Sequence, residues 1–251
     1  MRYLVCRKAR GLNQHHSAAF QGDDTMYRRF MFCSALIFLI GDAYPQTAAP
    51  DEAKLARRLT KVPARDSMPE QFIAILQAAE VSGGIVSSHA GCSDGPKGEG
   101  PKGEHPVLEN LSAAQALDAL AAADGAHRWV SSDGAVVLLP VGGVPALLET
   151  RIAAVHLSDS LNMNLSLQEL LTTREVVGAI GKLGLSQQQF ELGFQKLHAG
   201  LPKPPARPLD FQNITLLQGL NAIVGQHYGF VWAYDEYHCR GYTFRLTFIS
   251  Q

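Results

Sequence analysis

Two stretches decide the fold: PVLENLSAAQALDAL, residues 106–120, and PLDFQNITLLQGLNAI, residues 208–223. They align at a constant offset of 103 residues, so Asn110 matches Asn213, Ser112 matches Thr215, Gln115 matches Gln218 and Leu117 matches Leu220. The same offset carries Leu120 to Ile223 and Trp129 to Trp232, the only two tryptophans in the chain. An offset held across this many positions marks an internal repeat. In each copy a Ser or Thr stands three residues before a Gln, the spacing of a capping box. There the hydroxyl accepts from a backbone N–H one turn on, and the glutamine reaches back to the cap. Leu111 and Ile214, just before each cap, can staple back onto the helix. Ala113, Ala116, Leu117 and Leu120 form the apolar stripe of one helix, and Leu216, Leu220, Ile223 and Val224 that of the other.

Outward from the helices the copies keep the same plan. A glycine turn (Gly125, Gly229) leads into a strand bearing the tryptophan, and a second strand closes a hairpin. In the first copy Ser131-Ser132-Asp133-Gly134 precedes Ala135–Leu139, and Asp-Gly is a strong hairpin signal. In the second, Tyr242, Phe244, Leu246 and Phe248 alternate with Thr243, Arg245 and Thr247, the period of a strand. Upstream, Phe72, Ile75, Leu76 and Ala79 make one stripe of a helix over Pro69–Val81, ended by Gly83-Gly84 and followed by a strand over Ile85–His89. The loop 91–104 carries Gly-Pro-Lys-Gly-Glu twice in tandem and reads as a solvated insertion.

Between the copies, Arg151–Leu157 reads as a strand. Leu167–Leu183 reads as a helix with Leu170, Leu171, Val177 and Ile180 inward, and Ser186–His198 as another, with a Ser186/Gln189 capping box and Gly200 at its end. One helix on a small sheet buries too little apolar surface alone, so the helix and strand at 69–89 complete the first unit and the middle segment does the same for the second. The expected fold is α+β: two small units of helices packed on short mixed or antiparallel sheets. The expected divisions are a first domain at 66–142, a helical middle segment at 143–200, a stiff Pro-rich linker at 201–208 and a second half-repeat at 209–251.

The first 65 residues read differently. Met26-Tyr27-Arg28-Arg29 precedes the apolar run Phe30–Ile40, and small residues follow at Gly41-Asp42-Ala43. This is the order of a cleavable secretory signal at 26–43. Residues 1–25 then read as a non-native upstream extension and 44–65 as a flexible leader. The expected location is the periplasm or outside the cell. No apolar run reaches the roughly 18 residues a spanning helix needs. A net charge of −1 argues against a nucleic-acid partner, which selects a basic footprint.

Export changes the meaning of the cysteines. Cys6 and Cys33 fall in the removed part, while Cys92 and Cys239 remain, either as a disulfide in an oxidising compartment or as two separate thiols. His89, Cys92, His238 and Cys239 are the residue types of a zinc site, but their spacing is that of no recognised finger, and no metal site is assigned. Asp210, Asp235 and Glu236 are the acids near the last copy. No carboxylate pair is placed around a cleft, and Asp235-Glu236 reads as a solvated turn. His227 suits a helix C-terminus. Trp129 and Trp232 read as core residues, with a sugar or peptide platform as the other use of such a pair. The last strand is either an edge open to a partner strand or one guarded by Arg245. No catalytic residue and no cofactor is expected.

Residues of about 66–140 resemble the short N-terminal domain of secretins and TonB-dependent receptors, the STN domain. The likeness runs over the helix Pro69–Val81 with Gly84-Ile85-Val86, then Val107–Leu120, then Trp129 and Val136–Leu139; the second copy matches in its latter half. The resemblance implies a small, non-catalytic α+β module of the bacterial envelope that docks periplasmic partners or neighbouring domains. Members of the family precede a barrel or channel, whereas this sequence reaches Gln251 straight after a strand, and its loop 91–105 is longer. Only the fold and the docking habit therefore carry over. The expected function is docking to other envelope proteins in a secretion, receptor or signalling assembly. The competing expectation is a small exported hydrolase or a carbohydrate-binding protein.

Overall fold

The structure, a computed structural model, describes residues 52–89, 107–188, 206–227, 229–238 and 241–250, all within the unit Pro45–Gln251. The expected upstream extension, the signal at 26–43, Cys92, Cys239, the tandem Gly-Pro-Lys-Gly-Glu loop and residues 189–205 lie outside the described residues. The chain is α+β, with six helices and both mixed and antiparallel sheets among the described residues.

The elements run α1 (Glu52–Ala56), β1 (Arg58–Val62), α2 (Met68–Ala79), β2 (Gly83–His89), β3 (Leu108–Ser112), α3 (Ala113–Asp124), β4 (His127–Ser132) and β5 (Ala135–Pro140). Then come β6 (Arg151–Leu157), α4 (Met163–Leu171), α5 (Arg174–Leu183), β7 (Leu185–Gln187), β8 (Leu209–Thr215), α6 (Leu216–Gly225), β9 (Phe230–His238) and β10 (Tyr242–Ser250). From β1 onward the order is strand, helix, strand, strand, helix, strand, strand, twice over, with α5 inserted in the second pass. The repeat is thus longer than the aligned stretches. The stretch 44–65, expected as a flexible leader, contributes α1 and β1, and the middle segment contributes β6, α4 and β7 to the second repeat.

Pairing repeats as faithfully as order. β1 lies antiparallel to β3 and β6 antiparallel to β8, with Arg58 opposite Ser112 and Arg151 opposite Thr215. Asn110 and Asn213 both sit at positive φ, 57° and 50°. Asparagine tolerates this left-handed conformation better than most side chains, which is why it recurs two residues before each N-cap. Both boxes are closed in both directions, with Ser112 and Thr215 accepting from Gln115 N and Gln218 N at 3.1 and 3.2 Å. Asp133 and Gly134 both take positive φ, the two-residue hairpin turn the Asp-Gly pair announces.

The remaining strands make one six-stranded sheet in the order β4-β5-β2-β9-β10-β7. The first three belong to repeat one and the last three to repeat two. Each triplet is an antiparallel hairpin with a parallel third strand. The left-to-right order of the triplets is the same while their strand directions are opposite, so a half-turn about an in-sheet axis across the strands relates them. That operation also exchanges faces. Accordingly α2 and α3 pack on Ile85, Val136, Leu138 and Val231 on one side. On the other side α4 and α6 pack on Val86, Val137, Leu139, Trp232 and Tyr234. Successive strand residues face opposite ways, so β2, β5 and β9 are buried on both faces.

The join between repeats is the parallel pairing of β2 with β9 over seven residues, Gly83 opposite Val231 to His89 opposite Tyr237. Trp232, fully buried, lies across β2 at Gly84, where a Cβ would come within 2.1 Å of the indole Cε2. Three sequence expectations are corrected here. α2 ends at Ala79 with Glu80 as its left-handed cap, and Gly83-Gly84 serves the sheet instead of ending the helix. The helix expected over 167–183 is two helices broken at Thr172-Thr173, and Val177 is exposed. Ser186 lies in β7 and caps no helix.

Gly84→Ala is expected to cost about 1–3 kcal/mol, since an overpacked core displaces neighbours. Gly178→Ala, in α5 with nothing near the added methyl, is expected to stabilise by roughly 0.5–1 kcal/mol. Chemical denaturation of both variants reads the two signs, and a neutral Gly84→Ala would mean the indole is free to move off β2.

Candidate functional site at the repeat junction

Most of the ionisable side chains singled out in the sequence converge where β2, β9 and β10 run out together. On one face the His89 ring stacks on Tyr237, centroids 4.8 Å apart and planes 18° apart. Asp235 shares that face, because it lies two residues from Tyr237 on β9. Its Oδ2 accepts from Arg245 Nε at 3.0 Å and Nη2 at 2.6 Å, from directly across the β9–β10 ladder. His89 Nε2 stands 3.9 Å from Asp235 Oδ1. On the opposite face the Tyr234 hydroxyl donates to Glu236, His238 Nε2 lies 2.8 Å from Glu236 Oε1, and the His238 ring meets Tyr242 edge-on at 5.0 Å.

Burial raises the Tyr234 hydroxyl far above its ordinary value, and the Glu236 carboxylate adds to the effect. Tyr237 shifts up as well, first through burial and then through Asp235, with Arg245 pulling back. For Arg245 burial works to lower the guanidinium pKa, but the hydrogen bonds and charge of Asp235 more than offset it. Physically the cluster is a clasp. Charge-assisted bonds of this kind are the stronger class, and here they close the polar end of the sheet that joins the repeats. Asp235 and Glu236, expected in a solvated turn, are strand residues with side chains 14% and 13% exposed.

The other candidates are dispersed. Asp210 pairs with His156 at 2.7 Å on the exposed β6–β8 ribbon. His227 Nε2 lies 2.7 Å from the Ser160 carbonyl, and its own carbonyl accepts from the Ser82 hydroxyl at 3.1 Å, so it braces repeat two against repeat one. Among the described residues no group of three His, Cys, Asp or Glu side chains is placed to hold a metal ion, and no helix is long and apolar enough to cross a membrane. β2 and β9, which lead toward Cys92 and Cys239, are adjacent and parallel. An open groove of about 470 Å³ lies between α2 and the end of β10, lined by Arg65, Asp66, Glu70, Ile73, Ile249 and Ser250.

The tryptophans reveal residues that the repeat alignment holds but the sequence reading passed over. Trp129 Nε1 donates to Asp118 Oδ1 at 2.8 Å and Trp232 Nε1 to Asn221 Oδ1 at 2.9 Å. Asp118 and Asn221 obey the same offset of 103. Trp232 is a core residue, while Trp129 is only half-buried. Asn221 also donates to the Ser132 carbonyl at 3.2 Å, across the repeats.

Asn221→Ala is expected to cost about 1–3 kcal/mol, because it strands a buried indole N–H. Asp118→Ala is expected to cost about 0.5–1 kcal/mol, since water reaches Trp129. Equal losses in urea melts would contradict this reading. The raised Tyr234 pKa gives an alkaline signature. Its stabilisation is complete below about pH 10, the ordinary tyrosine value, and is lost as pH rises above it, where the unfolded chain ionises first. Tyr234→Phe should flatten the fall of melting temperature above that pH, and an unchanged slope would assign the effect elsewhere.

Comparison of the chain with family models, with curated proteins and with solved structures returned no match in any of the three.

Proposed function

We propose that this chain is an exported, non-catalytic docking protein of a bacterial envelope, built from two STN-like modules fused through one sheet. The observation that carries the reading is the whole-module duplication. Each repeat has the helix-strand, strand-helix, hairpin succession that the resemblance implies. The polar cluster at the end of the junction supports it too, since His89 of the first repeat stacks on Tyr237 of the second and approaches Asp235. Rigid modules with exposed sheet edges suit recognition by strand addition.

Two outcomes are expected. Crosslinking of the tagged protein in its own cells, followed by mass spectrometry, should recover one dominant envelope protein. Recovery of only the bait or of abundant cytoplasmic proteins would end the docking reading. Export predicts that the mature chain begins near Ala43, and an N-terminus at Met1 in the cytoplasmic fraction would end that part. Non-reducing peptide mapping of the same sample decides between a Cys92–Cys239 disulfide and two free thiols.

A further inference from the structure

We infer that the outer edge of β4 is a strand-acceptor site, and that its occupant is an extended segment of a partner protein running parallel to β4 with a glycine over Trp129. This inference rests on the docking reading and names the surface that reading requires.

The molecule contains its own template. β4 and β9 are the same strand of the two repeats, related by the offset that carries Trp129 to Trp232. Each pairs antiparallel with the next strand of its hairpin, Trp129 opposite Leu138 and Trp232 opposite Phe248. The indole of each is held from the same helix position, by Asp118 and Asn221. On its other side β9 is occupied by β2, a parallel seven-residue partner whose Gly84 lies under the indole of Trp232. β4 ends the sheet, and among the described residues no strand pairs with its outer side.

The backbone of that side is set to accept one. The Val141 N–H bonds the Ala126 carbonyl, and in an antiparallel pair the bonding residues alternate. Arg128 and Val130 therefore turn their peptide groups toward β5, while His127, Trp129 and Ser131 turn theirs outward. Arg128 and Ser131 are exposed and Trp129 is half-exposed, against full burial of Trp232 beneath β2. The difference between the two tryptophans is what a covering strand supplies. An occupant with a side chain at the position of Gly84 would meet the indole as a Cβ at Gly84 meets Trp232, so the site selects glycine there.

The probe is a fluorescent peptide with the sequence of β2 and its preceding serine, Ser-Gly-Gly-Ile-Val-Ser-Ser-His, residues 82–89, titrated into the mature chain and read by anisotropy. Saturable binding is expected, weakened about tenfold or more when the second glycine is replaced by leucine. It should be abolished by Ser131→Pro, which deletes an outward N–H but no bond to β5. No binding at millimolar peptide overturns the proposal. So does binding that survives Ser131→Pro, which would mean the peptide displaces β2 from β9. If Ser131→Pro does not fold, a photocrosslinking form of the same peptide, mapped by mass spectrometry on the unaltered protein, carries the same test: attachment to β4 supports the site and attachment to β9 overturns it. A dimer that Ser131→Pro converts to monomer would give the edge to a second copy and overturn the assignment to a separate partner. An envelope protein recovered equally with the unaltered chain and with Ser131→Pro would leave docking standing and remove this edge from it.

Discussion

The structure turns on one close contact, the Trp232 indole against β2 at Gly84. Everything that unites the two repeats follows from it. Because residue 84 has no side chain, β2 can slide beneath the ring and pair with β9 along its whole length. Because β2 pairs with β9, two three-stranded sheets become one. Because they become one, Val86, Val137 and Leu139 of the first repeat gain cover from a helix of the second. Aromatic burial is among the largest single contributions a side chain makes, and here it is made across the boundary between repeats as well as within the second.

The join is also directional. It matches the third strand of one module with the first hairpin strand of the other, an unlike pairing in which neither edge meets its own kind. Unlike contacts leave the complementary surfaces unused at the two ends, whereas like-to-like contacts consume both. Repeat two guards its end by brevity, since β7 has only three residues, and short edge strands are a common defence against unwanted pairing. Repeat one has no such economy at β4.

Much of this was legible in the residues. The offset of 103, the paired capping boxes and the Asp-Gly turn located two helices and two hairpins correctly, because each is a local device whose residues sit close together. The first half of each repeat was harder to see. Arg58-Leu59 and Val62 correspond to Arg151-Ile152 and Val155, and Phe72, Ile75 and Leu76 to Leu167, Leu170 and Leu171. These matches lie at different offsets, because loop lengths differ and α5 is inserted. Apolar residues at helical spacing are too common to stand out without a shared register. The junction was not legible at all. Gly83-Gly84 looked like a helix stop, the commoner use of such a pair, and only the fold brings Trp232 over it. Asp235 and Glu236 looked like a turn for a related reason. Consecutive acids rarely lie within a strand unless, as here, each faces a partner on its own side.

The double-sided burial of β2 and β5 has a consequence in time. Their residues are synthesised well before α6, β9 and β10, which cover one of their faces. During that interval the first repeat can close its own layer of helices, but it presents the back of its sheet, a continuous aliphatic surface, to the surroundings. A nascent chain in this state is sticky in the way that makes partly finished proteins aggregate. The last strand-forming segments therefore act as the seal on the first, and a chain halted before them would leave its N-terminal half dependent on a chaperone.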